Sequence, residues 1–198
     1  MLVFLLPTVY IAVMKEPIPI EERNDITVDE MEHLSLPCRA DLYDGRIVYR
    51  VPTLARGLVE ANVVGLLGDY LDKRPIGVGA IGVNFRLWSD RPKESRVADV
   101  CYIANERVPK NKRCFPAMAP DLAVEIIQSD DNIAEMMEKA EAFLQQGTKI
   151  VWLVFIATRE VLVCTVESKH PARDVLTADG VLPDFALPVR EIFERLDT

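Results

Sequence analysis

Residues Phe115 to Ile156, FPAMAPDLAVEIIQSDDNIAEMMEKAEAFLQQGTKIVWLVFI, constrain the fold more than any other stretch of this chain. Leu122 to Ile127 is a short apolar run rich in branched residues and is entered through Pro120, which reads as a buried strand. One carboxylate, Glu125, lies inside it, and a buried charge is costly unless it is paired or holds a metal. A helix follows. Asn132 with Glu135 three residues on resembles a capping box, and Gly147 is a suitable stop. Ile133, Met136, Met137, Ala140, Phe143 and Leu144 recur at helical spacing as its buried stripe, with Lys139 at the border. Lys149 to Ile156 is apolar and β-prone, the pattern of a central strand covered on both faces. The unit is strand–helix–strand, and its helix turns a lysine toward a strand that carries a glutamate.

The 198 residues are enough for one domain with a sizeable core. Cys38, Cys101, Cys114 and Cys164 are widely scattered, so neither a zinc site nor a disulfide framework is expected, and a reducing cytoplasm fits. His33 and His170 are the only histidines, too few for a histidine-rich metal centre. Met1 to Met14 is apolar but for Thr8, is interrupted by Pro7, and is too short to span a bilayer. No basic stretch precedes it, so a signal peptide is not favoured. A strand, a dimer contact, or an upstream start with the true one at Met14 fits better. Residues 1–26 are taken as this segment and a linker, and 27–198 as the folded domain.

Thr27 caps a short helix with an acidic first turn, ending before Pro37. Asp44-Gly45 between two β-prone runs signals a hairpin, because both turn positions need positive φ. Leu58 to Leu71 is the next helix, with Val59, Val63, Leu66, Leu67, Tyr70 and Leu71 on its apolar face. Gly77 to Gly82 spells GxGxxG, but it follows a helix and leads into Val83–Leu87, which alternates like a strand. It is read as a glycine-rich strand entry rather than a dinucleotide fingerprint. Arg96 to Ile103 is a strand, and Asp99 is the one carboxylate inside it. Val161 to Val166 is another, and Arg190 to Leu196 a closing helix.

Two acids on neighbouring strands and a lysine on the packed helix form a chemical kit. Two carboxylates can hold a hard divalent cation. Such a cation polarises a phosphodiester and acidifies a bound water, and a lysine can stabilise charge on the phosphate. Asp99 and Glu125 are the choice on chemistry alone. The bland readings are that Asp99 pairs with Arg96 or Arg86, that Glu125 and Lys139 form a structural pair, and that Lys139 snorkels past Phe143. Asp121, of the same strand parity as Glu125, is a rival for the metal.

Asp41-Leu42-Tyr43-Asp44-Gly45-Arg46-Ile47-Val48, Arg96-Val97-Ala98-Asp99-Val100, Pro120 to Ile127, Glu138-Lys139-Ala140, Val151-Trp152-Leu153-Val154 and Leu182-Pro183-Asp184-Phe185 occur in that order. Together they resemble the Uma-two family of putative restriction endonucleases, in the PD-(D/E)XK nuclease superfamily. The resemblance implies an α/β (α+β) fold, a restriction-endonuclease-like mixed β-sheet flanked by helices. It implies catalytic residues at Asp99, Glu125, Lys139 and Asp41, with a magnesium or manganese ion on Asp99 and Glu125. The lysine usual two residues after the glutamate is replaced by Ile127, and the family's helix lysine is matched by Lys139. The family's proline before the first aspartate is Ala98 here.

The net charge of −8 argues against avid non-specific DNA binding. Arg86 to Arg113 nevertheless holds eight basic residues against four acidic ones, beside the strand of Asp99. The expected function is metal-dependent phosphodiester hydrolysis of nucleic acid, DNA first, by a cytoplasmic homodimer with no membrane partner. The alternative is a weak or inactive endonuclease fold acting as an interaction or nucleic-acid-binding module.

Overall fold

The computed structural model describes residues 18–196. The apolar segment at residues 2–14, expected to add a strand or a dimer contact, lies outside them. The order of elements is α1 (Val28–Met31), β1 (Ala40–Tyr43), β2 (Arg46–Tyr49), α2 (Leu54–Lys73), β3 (Gly77–Phe85), β4 (Arg96–Ala104), β5 (Leu122–Ile127), α3 (Ile133–Gln145), β6 (Ile150–Phe155), β7 (Glu160–Cys164), β8 (Lys169–Ala172), β9 (Val175–Thr177), β10 (Ala186–Pro188) and α4 (Val189–Ile192). Among the described residues, six strands form the central sheet in the order β3-β4-β5-β6-β7-β8. Neighbours run antiparallel except β5 and β6, which are parallel because α3 carries the chain back between them. The fold is a mixed α/β sheet flanked by helices, as expected.

The two sheet faces bury different helices. Val100, Val124, Ile126 and Trp152 pack with Val59, Val63 and Leu67 of α2. The rings of Tyr70 and Trp152 both meet Phe185, at 5.2 and 5.8 Å, which seats the C-terminal segment on the α2 face. Cys101, Ala123, Val151 and Leu153 turn the other way, onto Met136, Ala140 and Phe143 of α3. Here the expected stripe needs correction: Ile133, the first residue of α3, is exposed, and the buried stripe begins one turn later at Met136. The N-cap is also a variant of the expected box. Asn132 accepts from the Ala134 amide, and its own side-chain amide donates to Glu135.

Helix α2 begins four residues earlier than its apolar pattern suggests, because Thr53 accepts from the Arg56 amide and caps it there. The C-terminal helix is shorter than expected, only Val189–Ile192. The run Gly77–Gly82 lies within edge strand β3, in line with the rejection of a dinucleotide fingerprint. In the β1–β2 hairpin, Asp44 and Gly45 both have positive φ. A Cβ on Gly45 would meet the Asn24 carbonyl at 2.4 Å, so glycine is required twice over. This hairpin docks on the start of β4 through the reciprocal Leu42 and Ser95 backbone bonds, which places Asp41 beside the central sheet.

Candidate active site

Three elements far apart in sequence bring together Asp41, Glu125 and Lys139. Glu125 points from β5 to the α3 face. Lys139, only 1% exposed, lies under α3 rather than at the border of its stripe. Its Nζ is 2.8 Å from Glu125 Oε2 and donates to Asp41 Oδ2 at 3.1 Å. The other oxygen of Asp41 accepts the Val97 amide at 2.8 Å. Asp41 therefore ties the hairpin to β4 and at the same time holds the lysine.

Asp99 joins the cluster from β4. The β4–β5 ladder ends at Val100↔Val124. One step beyond, the freed Ile126 amide donates to Asp99 Oδ2 at 2.7 Å. The same oxygen accepts from Arg56 at 3.0 Å, and Arg56 reaches on to Asp131 at 2.9 Å. Arg50, just after β2, stands between the two candidate ligands. Its Nη2 is 3.5 Å from Glu125 Oε2 and 3.9 Å from Asp99 Oδ2. A cavity of about 290 Å³ opens beside this group, lined by Arg50, Arg56, Asp99, Thr53, Gly57 and Glu60 among others.

The cluster is buried, so its charges are strongly coupled. Burial pushes the Glu125 carboxyl up to about 7, with the Asp99 and Asp41 charges adding to the rise and Lys139 and Arg50 opposing it. Glu125 Oε2 carries both cations, whereas Oε1 is buried with no hydrogen-bond partner. A carboxylate oxygen left bare in a dry site fits a cation ligand. Oxygen donors from two carboxylates suit magnesium or manganese, since a small hard ion keeps several of its own waters. Among the described residues no three His, Cys, Asp or Glu side chains converge as a closed cage. The donor set thus fits an open two-carboxylate site, not a structural metal.

All four expected site residues, Asp41, Asp99, Glu125 and Lys139, meet here. Asp121 does not. It lies at the far end of β5, on the Ala104 amide, Arg107 and Lys149. Asp99 pairs with Arg56 and Arg50, not with Arg96 or Arg86. Arg96 instead holds Glu94 and covers the Tyr43 ring at 3.5 Å, and Arg86 holds Asp29 and Glu32. With Arg107 on Asp121, three cations of the basic run are internally paired, while Arg91, Lys110, Lys112 and Arg113 remain exposed. Sequence reasoning missed Arg50, Arg56 and Asp131. None of the three had a signal: with the helix expected from Leu58, Arg56 falls outside its first turn.

The profile of the Uma2 family, described as putative restriction endonuclease, matches residues 28–190. No curated protein matches the chain. Among solved structures, a crystal structure of a putative nuclease belonging to DUF820 from Anabaena variabilis is similar with a TM-score of 0.71 and 18% identity, covering 85% of this chain and 97% of that one. At that identity the likeness speaks for the fold alone. No helix among the described residues is long and apolar enough to cross a membrane.

Proposed function

Since the chain belongs to the Uma2 family of putative restriction endonucleases, we propose that it is a PD-(D/E)XK-type endonuclease, a metal-dependent hydrolase of phosphodiester bonds in DNA. The observation that carries this is the buried, unpartnered Oε1 of Glu125, whose other oxygen holds Lys139 and shares Arg50 with Asp99. Asp99 and Glu125 are the residues that would hold a magnesium or manganese ion. When bound, that ion supplies Lewis-acid polarisation of the phosphoryl oxygen and an acidified water. Lys139 presents its ammonium to the developing phosphate charge, where a preorganised cation in a dry site acts most strongly. Asp41 keeps that ammonium aimed. Arg56 holds the Asp99 carboxylate in place against the Ile126 amide.

A domain over 27–198, a cytoplasmic location and a homodimer belong to the same reading. Four free cysteines support the reducing compartment, and the nine-residue edge strand β3 offers a surface for self-pairing. One observation favours the second reading, a catalytically inert binding module: each acid of the cluster already has an arginine or lysine partner. Manganese-dependent nicking of supercoiled plasmid, together with metal density at Asp99 and Glu125 in soaked crystals, is the expected result. Wild-type protein that binds no divalent metal and leaves plasmid intact sinks the nuclease reading and leaves the inert module.

A further inference from the structure

The position between Asp99 and Glu125 is held by the guanidinium of Arg50, whose side chain is 5% exposed. A guanidinium stays protonated in proteins, and this one faces Glu125 and Asp99. Arg50 therefore cannot yield by losing a proton, as a lysine could. It can yield only by moving. Two features make it a poorly anchored occupant. Its contact with Glu125 is long at 3.5 Å, and its other hydrogen-bond neighbour is the weak acceptor Met136 Sδ at 3.4 Å. By contrast, Lys139 and Arg56 sit at 2.8 and 3.0 Å from their carboxylates. The cavity of about 290 Å³ that Arg50 itself lines gives the side chain somewhere to go.

Resting on the metal reading above, we propose that Arg50 is an exchangeable internal cation: a divalent ion and the Arg50 guanidinium compete for Asp99 and Glu125, and the displaced guanidinium turns into the adjoining cavity to bind a phosphate of the nucleic-acid backbone. Without metal, Arg50 neutralises two buried acids that would otherwise repel each other. With metal, the same neutralisation is supplied by the ion, and the free fork of N–H donors suits a phosphate. Metal and phosphodiester then favour each other, because each rewards the outward position of one side chain. Arg50 is in this sense a positioning residue whose exchange couples cofactor to substrate.

The test reads metal affinity, not cleavage. Manganese is titrated by calorimetry into wild type and Arg50→Gln, with and without a short phosphorothioate DNA strand. Arg50→Gln should bind manganese on the order of tenfold tighter than wild type. The DNA strand should tighten manganese binding in wild type and leave Arg50→Gln unchanged. Wild type that binds manganese while Arg50→Gln binds equally or more weakly overturns the exchange and leaves the nuclease reading standing. If neither protein binds manganese, both fall together. Should Arg50→Gln fail to fold, manganese-soaked wild-type crystals decide: metal density with Arg50 turned into the cavity supports the exchange. Metal density with Arg50 still between the two carboxylates ends it.

Discussion

The two ends of strand β5 each bury a carboxylate, four residues apart on the same sheet face, and treat it in opposite ways. Asp121 and Glu125 are both 0% exposed. Burial alone would raise Asp121, but the Ala104 amide, Arg107 and Lys149 outweigh it and hold the carboxyl below the usual range. Both cations reach in from partly exposed positions, so they give up little hydration. Glu125 receives no backbone amide bond, shares its two cations on one oxygen, and is pushed up to about 7. Asp121 Oδ1 is held by two cations and its other oxygen by an amide, whereas Glu125 Oε1 faces no partner of either kind, which is the condition that suits a ligand.

Neutralising each acid in turn separates the two positions most strongly. Glu125→Gln should lower manganese-dependent nicking by about 10³-fold or more while urea unfolding shows wild-type or higher stability, because a costly buried charge is gone. Asp121→Asn should show the reverse: nicking within a few-fold of wild type, and stability lower by about 2–3 kcal/mol for the loss of hydrogen bonds between charged groups. Equal losses of activity in both variants would erase the distinction between the ends.

Lys139→Met strips Glu125 and Asp41 of a buried partner and should cost about 3–5 kcal/mol in urea. Saturating manganese should return much of this, about 2.7 kcal/mol at a hundredfold excess over Kd. Nicking should stay abolished in the refolded, metal-loaded variant. Cleavage that survives would keep the enzyme and remove Lys139 from its chemistry.

The smallest effect is read from stability against pH, in chelator. Glu125 has a folded pKa of about 7 above an ordinary value of 4.5, so the folded state holds the extra proton. Stability from this group is present below about 4.5 and declines as pH rises through 7. Asp121 is lowered from 3.8, so its contribution is present above that value and is lost in stronger acid. Glu125→Gln should flatten the first limb and Asp121→Asn the second. A wild-type profile with no fall between pH 5 and 7 would contradict the raised glutamate.

Much of the site was legible because its residues break an apolar pattern. Glu125 and Asp99 are the single carboxylates in strands that otherwise read largely as core, and Lys139 stands among Met136, Ala140 and Phe143 at helical spacing. Arg50, Arg56 and Asp131 were not legible, since they sit at a strand exit, a helix start and a loop, where charge is ordinary. Only the hairpin's docking through Leu42 and Ser95 reveals that Arg50 enters the core. The basic run misled for a related reason: one-dimensional charge says nothing of Arg86 reaching Asp29 or Arg107 reaching Asp121. The sheet's mixed character was legible in the strand–helix–strand unit, whereas β8, β9 and β10 are too short to leave a periodicity.

Lys139 and Asp41 are separated by 98 residues, and that spacing sets a schedule. A ribosome adding 5–20 residues per second needs on the order of 5–20 s to supply the lysine after the aspartate has emerged. During that interval the hairpin can dock on β4 through Leu42, Ser95 and the Val97 amide, but its carboxylate has no cation to close on. On the proposed nuclease reading, the complete site therefore arrives late in synthesis, after the parallel β5–β6 pairing has drawn α3 across the sheet. Stalled chains that end before Lys139 should be digested readily at the hairpin and should leave DNA untouched, while chains released past β6 should resist at the same bonds.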